Sequence, residues 1–158
     1  METGMLEIGD PYLALSRRSV GNGLTQYTFD CDGSCSGIDL NEPITILREY
    51  LHMHAVGAAA SNELVRDGTV VHKSKIEFFN FQQQGNQAIQ QMPFQVEPGD
   101  GFRMTCTYDT NEDTVFGRAS QQEMCIAFIM YYPRRNIGLP WSCGAGIPAT
   151  NVQGRKEY

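Results

Sequence analysis

The amino-acid sequence predicts an all-β protein, an antiparallel β-sandwich of the jelly-roll type. Helical periodicity is scarce in its 158 residues, whereas short runs of alternating apolar and polar residues recur at spacings typical of antiparallel sheets. Gly, Pro, Asn and Asp bound these runs, as they do at turns between strands. About eight short strands with turns at this density favour a sandwich over a closed barrel.

Two turns and four strands are the clearest elements. Asp67-Gly68 predicts a tight hairpin between residues 62–66 and 69–73, since both central residues of a type I′ turn need a positive φ. Pro98-Gly99-Asp100 predicts a second turn, which follows a short strand at 94–97. The four clearest strands, in chain order, are 45–55, 70–81, 101–108 and 123–132. We expect residues 1–143 to form one domain and residues 144–158 to form a tail, the last part of a segment rich in Gly and Pro that begins at Asn136.

Composition and charge indicate which partners are not expected and in which compartment the protein is expected. The net charge of −6 is spread without a basic stripe, so we expect no nucleic-acid partner. No apolar run approaches the roughly 20 residues that cross a bilayer, so we expect no membrane span. Five cysteines favour the secretory pathway or the extracellular space. The sequence shows no signal peptide, as would be expected of a piece of a longer precursor or of an incomplete gene model.

The segment His52-Met53-His54 carries the strongest chemical signal. Side chains at positions i and i+2 of a strand share a face, so the two imidazoles can bind one metal ion. The alternative is a pair of ordinary surface histidines. We expect the histidines on the more accessible face with Ile46, Arg48 and Tyr50, and the core to take Leu47, Leu51 and Met53.

A second segment places a thioether at the beginning of a strand. Alternation from Glu123 onwards puts Met124, Ile126 and Phe128 on one face, opposite Cys125 and its i+2 neighbours. Met124 would lie near the rim of the sandwich, where its sulfur can reach a metal. The alternative is an ordinary core methionine.

The motifs of the chain resemble one family in their order and spacing. They are His52-Met53-His54 followed by Gly57, then Pro98-Gly99-Asp100, Cys106-Thr107-Tyr108, Glu123-Met124-Cys125 and Tyr131-Tyr132-Pro133. From about Gly4 to Cys143 the sequence resembles the C-terminal domain of the copper type II, ascorbate-dependent monooxygenases, which include dopamine β-hydroxylase and peptidylglycine α-hydroxylating monooxygenase.

The resemblance implies that His52, His54 and Met124 ligate the copper at which dioxygen is bound and substrate is hydroxylated. These residue types suit the metal, since imidazole serves either copper oxidation state and a soft thioether favours the cuprous form. Three protein ligands also leave one coordination position open. The remaining histidine, His72, has no partner at ligand spacing and is expected to be a surface residue of a strand.

The resemblance also implies a partner domain. In this family, ascorbate delivers two electrons through a second copper, which the histidines of a preceding domain hold. This chain has three histidines in all, so we expect one copper here and dependence on an N-terminal histidine-rich copper domain. The functional hypothesis is a monooxygenase domain that uses dioxygen to hydroxylate a C–H bond of a small, aromatic, amine-like substrate. The alternative is a non-catalytic secreted copper-binding or interaction module of jelly-roll fold.

The resemblance implies two disulfides, Cys106–Cys125 and Cys31–Cys143. Cys35 is then left with three possibilities: a free thiol, a bond to another chain, or a partner beyond a truncated C-terminus. A metal site made by Cys31 and Cys35 is less favoured, because it lacks a second cysteine pair.

The substrate wall departs from the family's peptide branch. That branch has an arginine two residues before the first ligand histidine, and Asn and Tyr two and four residues after the ligand methionine. This sequence has Tyr50, Ile126 and Phe128 at those positions, so the charge-assisted clamp for a carboxylate is missing. An apolar wall suits a small aromatic substrate, with simple packing of a sheet face as the alternative.

Overall fold

The chain forms two packed β-sheets. A computed structural model describes residues 2–11, 15–31, 33, 41–86, 93–135, 142–143 and 150–151. One short 3-10 helix, η1, covers Phe81–Asn86. The strands, β1 to β10 in chain order, are Gly4–Gly9, Gly23–Cys31, Ile44–His52, Gly57–Arg66, Thr69–Ile76, Phe94–Val96, Gly101–Thr110, Ile126–Tyr132, Ser142–Cys143 and Thr150–Asn151.

The order of the strands confirms the antiparallel sandwich. The first sheet has the order β6-β3-β8-β1-β9 and the second has the order β10-β2-β7-β4-β5. The pairs are antiparallel except for the short parallel pair of β1 and β9. The jelly-roll designation stays a prediction.

Both predicted turns are present, but two of the predicted strands end earlier than expected. Asp67 and Gly68 join β4 to β5 with φ angles of 49° and 76°, and Gly99, with a φ of 90°, lies between β6 and β7. The long strands predicted at 45–55 and 70–81 end earlier, at His52 and Ile76.

A bulge in β3 changes the face on which its first residues lie. Ile46 pairs with Tyr131 and Arg48 pairs with Met130, so Leu47 is an extra residue without a partner in the ladder. Ile46 is fully buried and Leu47 is half-buried. The prediction that Ile46 shares the outer face and Leu47 the core is therefore wrong, because one extra residue reverses the alternation. From Arg48 to His52 the alternation is the predicted one. His54, which follows the end of β3, is only 6% exposed, so the prediction that it lies on the more accessible face is wrong.

The core lies between the sheets and is crossed by a disulfide. Alternate residues of β7 are buried, among them Met104 and Tyr108. Cys106 of β7 is bonded to Cys125, which precedes β8, so the bond joins the two sheets. This confirms one predicted disulfide and fixes the entry into β8.

The second predicted disulfide is only partly described. Cys31 is buried at the end of β2 and is disulfide-bonded. The side chain of Cys143 and the whole of Cys35 lie outside the described residues, so the pairing of Cys31 with Cys143 stays a prediction.

After Cys143, the structure describes residues 150–151 alone. These two residues form β10, which pairs with β2. The rest of the predicted tail lies outside the described residues, and the boundary at residue 143 stays a prediction. Within the described ranges, no helix is long and apolar enough to cross a bilayer.

Candidate metal centre

The two predicted histidine ligands lie at the edge where β3 ends. His52 is the last residue of β3 and pairs with Ile126, the first residue of β8. His54 follows in a turn that the Gly57 N–H closes by donating to the His54 carbonyl at 3.2 Å. A Cβ at position 57 would lie 2.8 Å from the Cβ of Met53, so this tight turn requires the glycine that follows the His-x-His motif.

The two imidazole rings converge on each other. Their centroids are 4.9 Å apart, their planes are inclined by 84°, and their Nε2 atoms are 3.2 Å apart. Two nitrogens that bind one ion at a tetrahedral angle, with bonds of about 2.0–2.1 Å, are separated by about 3.3 Å. The measured separation therefore fits two ligands of a single ion.

The opposite nitrogen of each ring contacts an oxygen acceptor. His52 Nδ1 lies 2.9 Å from Gln84 Oε1, and His54 Nδ1 lies 2.8 Å from the backbone carbonyl of Gln122. An oxygen acceptor there requires a proton on Nδ1, which leaves a lone pair on Nε2 of the neutral ring. Two such lone pairs cannot form a hydrogen bond with each other. A cation that accepts both satisfies them.

Burial favours the neutral form of the first ring. Burial, and after it the charge that His54 can carry, lower the pKa of His52, while the hydrogen bond with Gln84 acts in the opposite direction. Metal binding requires neutral imidazole, so a lowered pKa is compatible with the predicted ligand role of His52.

Glu123 ties the segment of Met124 to the histidine turn. Its carboxylate accepts the backbone N–H groups of His54 and Val56, each at 2.8 Å, and its side chain is almost fully buried. Burial raises the pKa of Glu123, although these backbone hydrogen bonds act to lower it. The backbone carbonyl of Met124 accepts a hydrogen bond of 2.7 Å from the hydroxyl of Tyr108. These bonds hold the backbone of residues 123–124 at the edge that carries the histidines.

The third ligand remains a prediction. Across the described part of the chain, no three His, Cys, Asp or Glu side chains gather in a metal-binding group. The predicted ligand set of two imidazoles and one thioether contains only two such side chains, so it would not form a group of that composition. The side chain of Met124 is half-buried, and its role as a ligand stays a prediction.

Aromatic rings continue from His52 along the outer face of the first sheet. The rings of Tyr50 and Phe128 each have their centroids 5.9 Å from that of His52, and both residues are half-buried. Ile126 is only 2% exposed and so offers little surface to a ligand. Of the predicted substrate wall, Tyr50 and Phe128 are the accessible members.

Three residues that support the histidines were not predicted. Gln84 lies on η1 in a run of three glutamines, and no periodicity distinguishes one glutamine from the next. Gln122 acts through its backbone carbonyl, which any residue would provide. Glu123 could have been found from its position next to Met124, but sequence alone does not show what a carboxylate accepts.

His72 is more enclosed than predicted. It is a half-buried residue of β5, and its ring stacks on that of Phe94 in β6, with centroids 3.7 Å apart and planes inclined by 20°. Its Nε2 lies 3.2 Å from the hydroxyl of Ser74. Burial lowers its pKa.

The chain is similar in sequence to proteins of one family. Residues 1–152 match the family model described as copper type II ascorbate-dependent monooxygenase, C-terminal domain. Dopamine beta-hydroxylase from Canis lupus familiaris is 33% identical over 146 residues, which cover 86% of this chain and 22% of that protein. The Homo sapiens protein of the same name is 29% identical over 95% of this chain and 24% of its own length. Tyramine beta-hydroxylase from Caenorhabditis briggsae is 30% identical over 68% of this chain and 19% of its own length.

The chain thus spans about a quarter or less of the length of these relatives. The family match covers nearly all of its residues. The chain therefore belongs to the copper type II, ascorbate-dependent monooxygenases, as their C-terminal domain.

Proposed function

We propose that this domain holds the oxygen-activating copper of a monooxygenase, with His52, His54 and Met124 as the ligands. The observation that carries the proposal is the approach of two Nε2 atoms to 3.2 Å while an oxygen acceptor contacts each Nδ1. Bound copper would supply the one-electron redox chemistry by which dioxygen is activated for C–H hydroxylation.

The residues of this chain prepare the site before the metal arrives. Gln84 and Gln122 fix the orientation of the rings, and Glu123 fixes the turn that begins at His54. A site that needs little reorganisation binds its metal more tightly, and such supporting contacts are typically worth about 10- to 100-fold in affinity. The thioether of Met124 would favour the cuprous ion.

We propose further that turnover needs a preceding histidine-rich copper domain and ascorbate. When one oxygen atom enters a C–H bond and the other leaves as water, two electrons and two protons must be supplied. Ascorbate is a two-electron donor, and a second copper would relay its electrons. The short span of this chain within its relatives supports the proposal of a further domain. The Cys106–Cys125 disulfide supports a place in the secretory pathway or outside the cell.

The outer face of the first sheet suits a small aromatic amine. Tyr50 pairs with Phe128 and Phe128 pairs with Glu7, so the three side chains form one row across the sheet. The rings can stack on an aromatic substrate, and the carboxylate of Glu7 can attract its ammonium group. Two relatives are named for hydroxylation of dopamine and of tyramine, which are aromatic amines. Glu7→Gln should raise KM for amines and leave KM for a neutral analogue unchanged.

Copper binding to the purified domain tests the ligand set. We expect one copper per chain, loss of that copper in His52→Ala and His54→Ala, and a cuprous affinity at least about tenfold lower in Met124→Leu. X-ray absorption should show a sulfur neighbour of the cuprous ion that Met124→Leu removes. Met130→Leu, at an exposed methionine of β8, is the matched control. Stoichiometric copper that survives both His52→Ala and Met124→Ala would refute the site.

The alternative, a non-catalytic copper-binding module, predicts the same copper loading. Protein extended to include the preceding domain separates the two. The enzyme should convert phenylethylamine-type substrates to hydroxylated products in the presence of ascorbate and dioxygen, and Met124→Leu should abolish the product. Full copper loading of the extended protein without any product would favour the module.

A further inference from the structure

Met124 lies on a short stretch of chain that belongs to no strand. Glu123 forms a bridge with Phe116, and β8 begins at Ile126, so residues 124–125 lie between these two elements. A residue inside a ladder is positioned by the hydrogen bonds of its strand, whereas the place of Met124 depends on individual contacts. The contacts that hold these two residues therefore decide where the thioether lies.

Strand β7 of the opposite sheet contacts both residues. The hydroxyl of Tyr108 donates to the backbone carbonyl of Met124 at 2.7 Å, and Cys106 is bonded to Cys125 with their Cα atoms 5.9 Å apart. Cys106 and Tyr108 are two positions apart on β7, so their side chains share the face that lines the core. Both anchors therefore extend from one face of one strand.

Packing fixes the hydroxyl of Tyr108 in this place. The side chain is fully buried. Its ring makes edge contacts with the rings of Tyr27 and Phe116, whose centroids lie 6.0 Å and 5.6 Å away. A ring enclosed in this way cannot turn its hydroxyl to another acceptor unless its neighbours also move. The hydrogen bond therefore holds the Met124 carbonyl at one position relative to β7.

The same end of β7 also contacts the turn that begins at His54. The backbone N–H of Asp109 donates to the Val56 carbonyl at 3.1 Å. Val56 in turn donates its own N–H to the carboxylate of Glu123, which is the neighbour of Met124. Adjacent residues of β7 thus reach the two segments that carry the predicted imidazole and thioether ligands.

Cys125 is held independently of Tyr108. Besides the disulfide, its backbone carbonyl accepts a hydrogen bond of 2.8 Å from the Asp10 N–H. A Cβ on Gly9, whose φ is 115°, would lie 2.2 Å from that carbonyl oxygen, so this close contact with β1 requires glycine. Loss of the Tyr108 hydroxyl should therefore loosen Met124 and leave the entry into β8 in place.

We propose that Tyr108 is a positioning residue that sets the preference of the site for cuprous over cupric copper, by holding the Met124 thioether within reach of the ion. This inference rests on the proposed ligand set. A soft thioether favours the cuprous ion, whereas imidazole serves both oxidation states. A change that releases the thioether alone therefore lowers the cuprous affinity and leaves the cupric affinity unchanged. A change that loosens an imidazole lowers both.

Copper affinities of the purified domain, measured in both oxidation states, test the role of the hydroxyl. Tyr108→Phe keeps the ring and removes the hydrogen bond, so we expect the cuprous affinity to fall about tenfold and the cupric affinity to stay the same. That difference lowers the midpoint potential of this one-electron couple by about 59 mV. Tyr27→Phe is the matched control, because it removes a buried hydroxyl that donates to the carbonyls of Ser19 and Val20. It should lower Tm to a similar extent and leave the potential unchanged.

The Met124→Leu background separates this proposal from the ligand assignment. There the thioether is already missing, so adding Tyr108→Phe should lower the cuprous affinity no further. In the otherwise unchanged protein, 4-aminophenylalanine at position 108 keeps a donor and should restore the potential, as a general loss of folding would not allow. An equal fall in both backgrounds, or an unchanged potential in Tyr108→Phe, would overturn the role of Tyr108 and leave the ligands standing. An unchanged cuprous affinity in Met124→Leu would refute the thioether ligand and this proposal with it.

Discussion

Replacement of Glu123 by glutamine is expected to weaken both the fold and the binding of copper. The buried carboxylate accepts two backbone N–H groups, from His54 and Val56. Glutamine has one acceptor oxygen, so one of these N–H groups would face an amide NH₂ and lose its partner. Loss of a hydrogen bond to a charged acceptor costs about 1.5–3 kcal/mol, and we take about 2 kcal/mol. For a domain of this size that corresponds to a fall of roughly 4–8 °C in Tm.

The same change should lower copper affinity, because the turn that presents His54 is no longer fixed. We expect a loss of about tenfold, the lower end of the range for residues that support metal ligands. Denaturant unfolding of the metal-free protein and competition with a cuprous chelator measure the two effects separately. Glu112→Gln is the matched control, since Glu112 is exposed. If Glu123→Gln and Glu112→Gln had the same unfolding free energy and the same copper affinity, the carboxylate would not hold the turn.

Three further outcomes follow from contacts outside this turn. Gln84→Ala should lower copper affinity about tenfold with little change in Tm, because it removes the oxygen that orients the first ligand imidazole; equal affinity by chelator competition would count against that role. Cys106→Ala with Cys125→Ala opens a bond of sequence separation 19 and should cost about 3 kcal/mol in denaturant unfolding under oxidising conditions; a cost near zero would contradict this. Asp100 is buried, which acts to raise its pKa, but hydrogen bonds from Arg66 and a backbone amide hold the pKa below its ordinary value. This stability is present at neutral pH and lost as pH falls below about 4. Arg66→Gln should therefore lower Tm at pH 7 and much less at pH 3, and a pH-independent loss would exclude the ion pair as the cause.

The features that the sequence predicted correctly depend on local chemistry. Asp67-Gly68 is a hairpin turn because its two positive φ angles suit those residues, and a turn forms at Gly99 for a related reason. The pairing of His52 with His54 follows from residue spacing near the end of a strand. The family resemblance supplied the Cys106–Cys125 disulfide, which no local pattern specifies.

The features that sequence reasoning missed depend on contacts between distant segments. The bulge at Leu47 arises from pairing with β8, which lies about 80 residues further along the chain. Gln84 and Glu123 reach the histidines from residues that are 32 and 69 positions away. The ring of Phe94, on the other sheet, covers the ring of His72. The sequence of β5 alone therefore predicted that the His72 side chain is more exposed than it is. Alternation within one strand cannot show such partners.

The bulge at Leu47 limits which changes in length this part of the chain can tolerate. Deletion or insertion of a single residue between Arg48 and His52 would turn the imidazole of His52 towards the interior and expose Leu51 in its place. A change of two residues would restore the faces but move His52 by about 7 Å along the strand, away from Ile126. Homologues that bind metal here should therefore vary in length before β3 or in the loops, and should keep an invariant count of residues from the bulge to the second histidine.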